Sequence, residues 1–228
     1  MIISHKYKFI FIKTIKTAGT SIEVFLSPHC GENDVFTPIY PHIDPHVARN
    51  YKGFFNPLPQ LVSARGRRAG RIFKEFIKRR RFYGHMPARV VRDRIPSRIW
   101  NDYFKFCVER NPWDKTLSNY HMRNYRSGGK LTLEQYFAEG RSCRNYKRYT
   151  DNQGRLMIDR VVKYENLTDG LGEIFTALGI PFDGSLGTRA KSEYRSDRRP
   201  YREVLSDAQM ERVARQYAQE ISMHGYEP

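Results

Sequence analysis

Residues 7–13 read YKFIFIK and run without a break into TIKTAGTS (14–21) and then IEVFL (22–26). The first piece is a short, nearly continuous apolar run, which predicts a mostly buried strand, and the last has helical character. Between them lies a loop of small residues. Small residues let the backbone come close to a ligand, and successive N–H groups at a helix N-terminus make a cradle for an anion. Lys16 brings a full positive charge, Thr20 and Ser21 add hydroxyl donors, and Thr17, Ala18 and Gly19 complete the loop. The order departs from the phosphate loop G-x-x-x-x-G-K-[ST], which needs lysine after its second glycine, because Lys16 precedes Gly19. Lysine before the loop suits phosphate binding without a dedicated magnesium ligand. An ordinary tight turn with a capping Thr or Ser would use the same residues.

Working outward, YFKFCVE (103–109) is an aromatic-rich strand pattern followed at once by the turn Arg110-Asn111-Pro112, and Pro112 suits the first turn of a helix carrying Leu117 and Tyr120. Residues 81–83 form a short strand candidate that ends at Gly84-His85, and ARVVRDRI (88–95) predicts a helix stopped by Pro96. Thr132 with Gln135, and Ser206 with Gln209, are capping boxes. IDRVVKY (158–164) predicts another strand, followed by a helix over 167–178 that ends at Gly179. The Pro-rich stretch from Pro38 to Pro59 has no periodicity and reads as a surface excursion, part of a longer basic one over about 35–82 within one domain of residues 1–228. In residues 61–81 the second half fits an amphipathic helix with Ile72, Phe73, Phe76 and Ile77 turned inward. Strands alternating with helices predict an α/β domain of three layers with a mostly parallel central sheet. Ligands of such sheets sit at the C-terminal strand ends, which singles out the loops after Lys13, Tyr83 and Glu109.

The chain has 228 residues, 39% of them hydrophobic and 14% aromatic, enough for a real core and too aromatic for disorder. No apolar run approaches the ~18 residues of a membrane span, and no secretory h-region opens the chain, so a cytoplasmic location is expected. Forty Lys and Arg against 24 Asp and Glu give a formal charge of +16, a field that attracts polyanions without choosing among nucleic acid, acidic polysaccharide, anionic membrane and phosphorylated nucleotide. Cys30, Cys107 and Cys143 show neither disulfide nor zinc spacing, and no metal site is expected.

Each loop carries a candidate group. Arg110, at a strand end, offers a planar fork that takes a phosphate bidentately, with Ser118 about two turns along the next helix. His85, just past a glycine, is placed to act as a base near neutral pH. Taken singly, each is equally at home in a structural turn. Taken together, Ile15-Lys16-Thr17-Ala18-Gly19-Thr20-Ser21, Gly84-His85, the run from Arg110-Asn111-Pro112 to Ser118-Asn119-Tyr120, and Val162-Lys163-Tyr164-Glu165-Asn166-Leu167 resemble, in order and nearly end to end, the motifs of the sulfotransferase superfamily, closest to its bacterial and carbohydrate-directed branch. Two positions depart from that family's pattern: Ile15 stands where proline is usual and Lys115 where arginine is usual.

The resemblance implies a P-loop-like sulfotransferase fold. It also implies the donor 3′-phosphoadenosine 5′-phosphosulfate, the product adenosine 3′,5′-bisphosphate, no required metal, and an acceptor hydroxyl, most naturally on a carbohydrate. Lys16 and the amides of 17–21 would meet charge developing on the departing 5′-phosphate, Arg110 and Ser118 would hold the 3′-phosphate, and His85 would take the acceptor proton. Lys191 and Arg195 lie where similar enzymes close a basic loop over the nucleotide. Glu165 is the rival base, with a structural strand-end role as its plainer reading. The tract 65–81, nine Lys and Arg with the single acid Glu75, is either a solvated helix face or an acceptor-side groove for an acidic glycan. Two other classes stay open. A small-molecule or nucleoside kinase is disfavoured by the missing Walker Lys-Ser/Thr pair, and a nucleic-acid-binding module has no helix-turn-helix, zinc-finger or RNP signature to support it.

Overall fold

The computed structural model describes residues 1–62, 64–187, 194 and 197–228. Its sheet has the order β3-β1-β2-β4-β5, with β1 Ile2–Ser4, β2 Phe9–Ile12, β3 Val35–Phe36, β4 Phe104–Glu109 and β5 Arg160–Lys163. β2, β4 and β5 run parallel, Phe11 opposite Phe106 and Val108 opposite Val162. β1 returns on β2 as an antiparallel neighbour and β3 adds to β1 in the same sense, so the sheet is mixed. The parallel expectation holds for β2, β4 and β5, and the loops after β2 and β4 carry Lys16 and Arg110. The antiparallel extension comes from strands of three and two residues, too short to show a pattern.

Alternation along the strands separates two cores. Ile10, Ile12 and Cys107 face one layer, with Met86, Val91 and Tyr149, while Phe9, Phe11, Phe106 and Val108 face the other, with Ile22, Leu26, Leu171 and Phe175. The second layer is built by α1 (Gly19–Leu26) and by α9 (Leu167–Leu178). On the first lie the short helices α4 (Ala88–Arg92) and α8 (Tyr146–Tyr149), which touch each other. A third apolar cluster joins Trp113 and Leu117 of α6 (Pro112–Arg126) to Tyr136 and Phe137 of α7 (Leu133–Ala138) and to the C-terminal helices α10 (Tyr201–Val204), α11 (Asp207–Gln216) and α12 (Ala218–His224). The Thr132 and Ser206 capping boxes form as expected, and Gly179 closes α9 in a left-handed conformation. The last helix breaks in two at Tyr217, whose hydroxyl accepts the Cys143 N–H at 2.9 Å.

The excursion differs from expectation. Residues 81–83 form no strand; Phe82 N–H bonds the Tyr51 carbonyl at 2.9 Å, an isolated link of extended chain. Two helices occupy the region, α2 (Leu58–Leu61) and α3 (Arg67–Ile77), and α5 (Ser97–Asp102) follows Pro96. On α3, Ile72 is buried and Phe76 packs 5.5 Å from Phe54 and 5.9 Å from Phe55, but Phe73 and Ile77 point outward, because only one narrow face of the helix meets the body. Arg94 fastens this lobe. Its guanidinium donates to Gln60 Oε1 (3.0 Å), Glu75 Oε2 (2.6 Å) and the Arg80 and Arg81 carbonyls (3.0 Å each), and stacks 3.8 Å from the Phe55 ring centroid.

α9 lies so close to β5 that a Cβ on Gly170 would sit 2.6 Å from Cγ1 of the buried, branched Val162. Gly170→Ala therefore tests packing against propensity. Helix propensity alone predicts a gain of about 1 kcal/mol, whereas the clash predicts a loss of about 1–3 kcal/mol. Urea denaturation should show the loss, and a gain would mean that α9 stands farther from the sheet.

Candidate active site

The three candidate loops converge at the C-terminal ends of β2 and β4. After β2 the chain leaves through Lys13 and Thr14, whose hydroxyl meets the Thr17 hydroxyl at 2.7 Å and donates to the Val108 carbonyl of β4. Lys16 and Ala18 both take left-handed backbone angles (φ 63° and 57°), alternation of the kind that turns successive amides toward one side. Ala18 is the N-cap of α1, and its methyl makes no capping bond to the first-turn amides. Lys13 runs beneath the loop to pair with buried Glu23 at 2.5 Å. Gly19 sits on its stem, where an added Cβ would come within 2.8 Å of Lys13 Cγ, so close packing is what requires the glycine.

Arg110 reaches this loop from β4. Its Nη1 donates to the Lys16 carbonyl at 3.3 Å, its Nε and Nη2 bond Asp114 at 2.7 and 2.6 Å, and its guanidinium lies 4.1 Å from the Tyr164 ring centroid. These contacts use three of the five guanidinium N–H donors. An anion there meets the remaining two or displaces Asp114. Asn111 caps α6 by accepting the N–H groups of Trp113 and Asp114. Glu165 accepts the Asn111 N–H at 2.7 Å, a structural role that fits its strand-end position. Ser118 lies half-exposed on α6, and among the described residues no hydrogen bond joins it to Arg110. Trp113 is a core residue, its indole donating to the Met210 carbonyl at 2.9 Å. Lys191 and Arg195 lie outside the described residues.

His85 arrives from the far side of the first layer with a left-handed backbone (φ 58°) and brings Nδ1 to 3.2 Å from the Lys13 carbonyl. A carbonyl can only accept, so Nδ1 carries the proton and Nε2 keeps its lone pair. Burial first, and then the Lys13 ammonium and other nearby cations, push the imidazole from its ordinary 6.5 down to about 3. Arg148 donates to the His85 carbonyl and holds the segment in place. Beside Gly84 opens a cavity of about 300 Å³ lined by Tyr40, Tyr51, Tyr83, Lys52, Lys78 and Arg80.

One organising residue gave no sequence signal. Asn145, fully buried, clamps Ile15 from both sides, accepting its N–H at 2.8 Å and donating to its carbonyl at 3.1 Å. Lys115, which stands where the resembled motif usually has arginine, is fully buried on Glu109 at 2.7 Å, so its charge serves the core. Ile15 and Lys115, where the chain departs from the motifs it resembles, both have local partners. The Ile15 N–H is used, which proline would lack, and Lys115 faces inward.

No family model matches the chain. An uncharacterised protein of Archaeoglobus fulgidus is 28% identical over 117 residues, covering 48% of this chain and 98% of its own. The crystal structure of a sulfotransferase from Alicyclobacillus acidocaldarius aligns over 96% of both chains at 19% identity and a TM-score of 0.44, a likeness too loose to carry an argument about chemistry.

Two outcomes follow from the geometry. Ile15→Pro should cost about 1–3 kcal/mol, the penalty for leaving a buried Asn145 acceptor unmet; unchanged stability in guanidinium melts would mean that the clamp is not formed. In the free protein His85, held neutral far below pH 6.5, should show no titration of its imidazole ring protons by NMR between pH 5 and 8. A titration near 6.5 that disappears in His85→Ala would show an ordinary, solvated imidazole instead.

Proposed function

We propose that the chain is a sulfotransferase that moves a sulfuryl group from 3′-phosphoadenosine 5′-phosphosulfate to a hydroxyl, most naturally one on a carbohydrate. One observation carries the reading: the left-handed loop at Lys16 and Ala18, the Arg110 guanidinium and the neutral His85 imidazole are tied together by single hydrogen bonds at the ends of neighbouring parallel strands. The sequence motifs add their order. The residues fit a donor with phosphate at two ends, since the uncapped start of α1 and Lys16 favour one anion and Arg110 favours a second.

The donor supplies an activated sulfuryl group and a stable leaving phosphate. The chain supplies charge and a base. As the acceptor oxygen bonds to sulfur and the bridging S–O bond breaks, negative charge gathers on the leaving phosphate, where Lys16 and the amides of residues 17–21 are preorganised to meet it. The acceptor proton passes to Nε2 of His85, whose other nitrogen is already committed to Lys13. The cavity beside Gly84, with three tyrosines and three cations, suits the acceptor side, because aromatic faces stack on sugar rings. On this reading Lys191 and Arg195 cover the nucleotide and Ser118 assists Arg110.

Isothermal titration with adenosine 3′,5′-bisphosphate tests the reading directly. Binding should need no magnesium and should weaken at least roughly tenfold in Arg110→Ala, the loss of a charge-assisted pair. With donor and acceptor supplied, Lys16→Ala should lower kcat by roughly 10²–10³. Absence of bisphosphate binding, with tight ATP·Mg binding in its place, would overturn the assignment in favour of a kinase.

A further inference from the structure

The lobe around α2 and α3 is held by one chemistry and presents another. Its tract 65–81 carries nine Lys and Arg and one acid, and that acid, Glu75, is turned toward the body on Arg94 at 2.6 Å. The outward charge is therefore positive with no internal counter-ion. Beside it stand large apolar side chains. Phe73 and Ile77, one turn apart on α3, are 57% and 61% exposed, and Leu58, which opens the neighbouring α2, and Val62, its C-cap, are 64% and 89% exposed. Lys74 and Lys78 of the α3 segment are exposed next to Phe73 and Ile77. At 100° per residue, the outer arc of α3 passes from Phe73 and Ile77 to Lys74, Arg67, Lys78 and Arg71, an apolar edge followed by a basic one.

A solvated helix face accounts for the cations and leaves the four apolar side chains unexplained. A second copy of the chain would press cations against cations in any twofold contact. An extended acidic glycan answers the charge, and a sugar ring can stack on Phe73, but it gives the aliphatic side chains of Ile77, Leu58 and Val62 nothing to bury against. A protein partner calls for anchors gathered into one packed centre, whereas here two pairs protrude from separate short helices. A surface that offers apolar depth beneath a layer of negative groups satisfies both features. We propose that this lobe is a peripheral docking surface for an anionic phospholipid membrane. The four apolar side chains enter the boundary between headgroups and acyl chains, and the flanking Lys and Arg meet lipid phosphates and carboxylates. No described helix is long and apolar enough to cross a membrane, so attachment through the lobe is interfacial. Lys78 and Arg80 also line the cavity beside Gly84, so the docking surface adjoins the proposed acceptor side.

Co-sedimentation with vesicles tests this without any activity readout, so its result stands apart from the sulfotransferase reading. The intact protein, Phe73→Ser/Ile77→Ser and Lys74→Ala/Lys78→Ala are compared on phosphatidylcholine vesicles and on phosphatidylcholine–phosphatidylserine vesicles, at low and high salt, with heparin as a purely polyanionic control. The intact protein should bind the phosphatidylserine vesicles, release with salt, and bind at least roughly tenfold more weakly in either double variant. Phe73→Ser/Ile77→Ser should keep its melting temperature and its heparin binding. Failure of the intact protein to bind phosphatidylserine vesicles overturns the proposal. So does vesicle binding undiminished in Phe73→Ser/Ile77→Ser, which would leave a polyanion site alone, and so does self-association that the same substitutions abolish.

Discussion

One buried carboxylate organises the site. Glu109, the last residue of β4, is fully shielded and accepts four hydrogen bonds, from Lys115 Nζ (2.7 Å), the Arg110 N–H (3.0 Å), Asn145 Nδ2 (3.2 Å) and the Tyr149 hydroxyl (3.0 Å). Those partners belong to α6, to the strand-end turn and to the chain around α8. Through Asn145 the same carboxylate also governs Ile15, and so the direction in which the loop leaves β2. A buried ion pair gains little net stability over apolar packing, but an unpaired buried charge is very costly. The constraint is therefore geometric: the arrangement tolerates only conformations in which all four donors are present. Burial and the neighbouring carboxylate push the Tyr149 hydroxyl well up, so it stays a donor to Glu109 and its oxygen accepts from Nε2 of His224 at 3.0 Å. The site thus rests on a polar layer that continues to the C-terminal helix.

What the sequence disclosed was local. The strands read at 7–13 and 103–109, which form over 9–12 and 104–109, the Thr132 and Ser206 caps and the stop at Gly179 are written within a few neighbouring residues, and the caps and the stop form as read. Lys16, Arg110 and His85 stood out because their residue types follow strand ends or a glycine, and the fold does bring those segments together. Asn145 carried no such mark, since its partner is 130 residues away and asparagine is unremarkable in a loop. The Glu109–Lys115 pair spans a strand end, a turn and a first helical turn, a spacing to which no periodicity applies. α3 shows the opposite failure. Its apolar pattern was real, but periodicity reports that a helix has two faces and not how wide a face the body will cover, and the body covers little more than Ile72 and Phe76.

Charge distribution links the fold to the proposed chemistry. The buried cations are each matched, Lys13 by Glu23 at 2.5 Å, Lys115 by Glu109 at 2.7 Å and Arg94 by Glu75 at 2.6 Å. Acids that would otherwise temper the field are thereby taken up inside the fold, and the formal +16 is left to the surface and the loops. Burial first, and then Lys13 and Arg148 among the nearby cations, disfavour protonation of His85. In an empty site such an imidazole is a weak base. A bound dianion cancels part of the surrounding positive potential, and the same imidazole then holds a proton more readily, by the rule that a nearby opposite charge favours the ionised form. On the proposed reading, base strength would rise with occupancy of the loop at Lys16 and Ala18. An acceptor hydroxyl that reaches His85 before the donor is bound would then meet a poor proton acceptor, and one that arrives afterwards would meet a competent one.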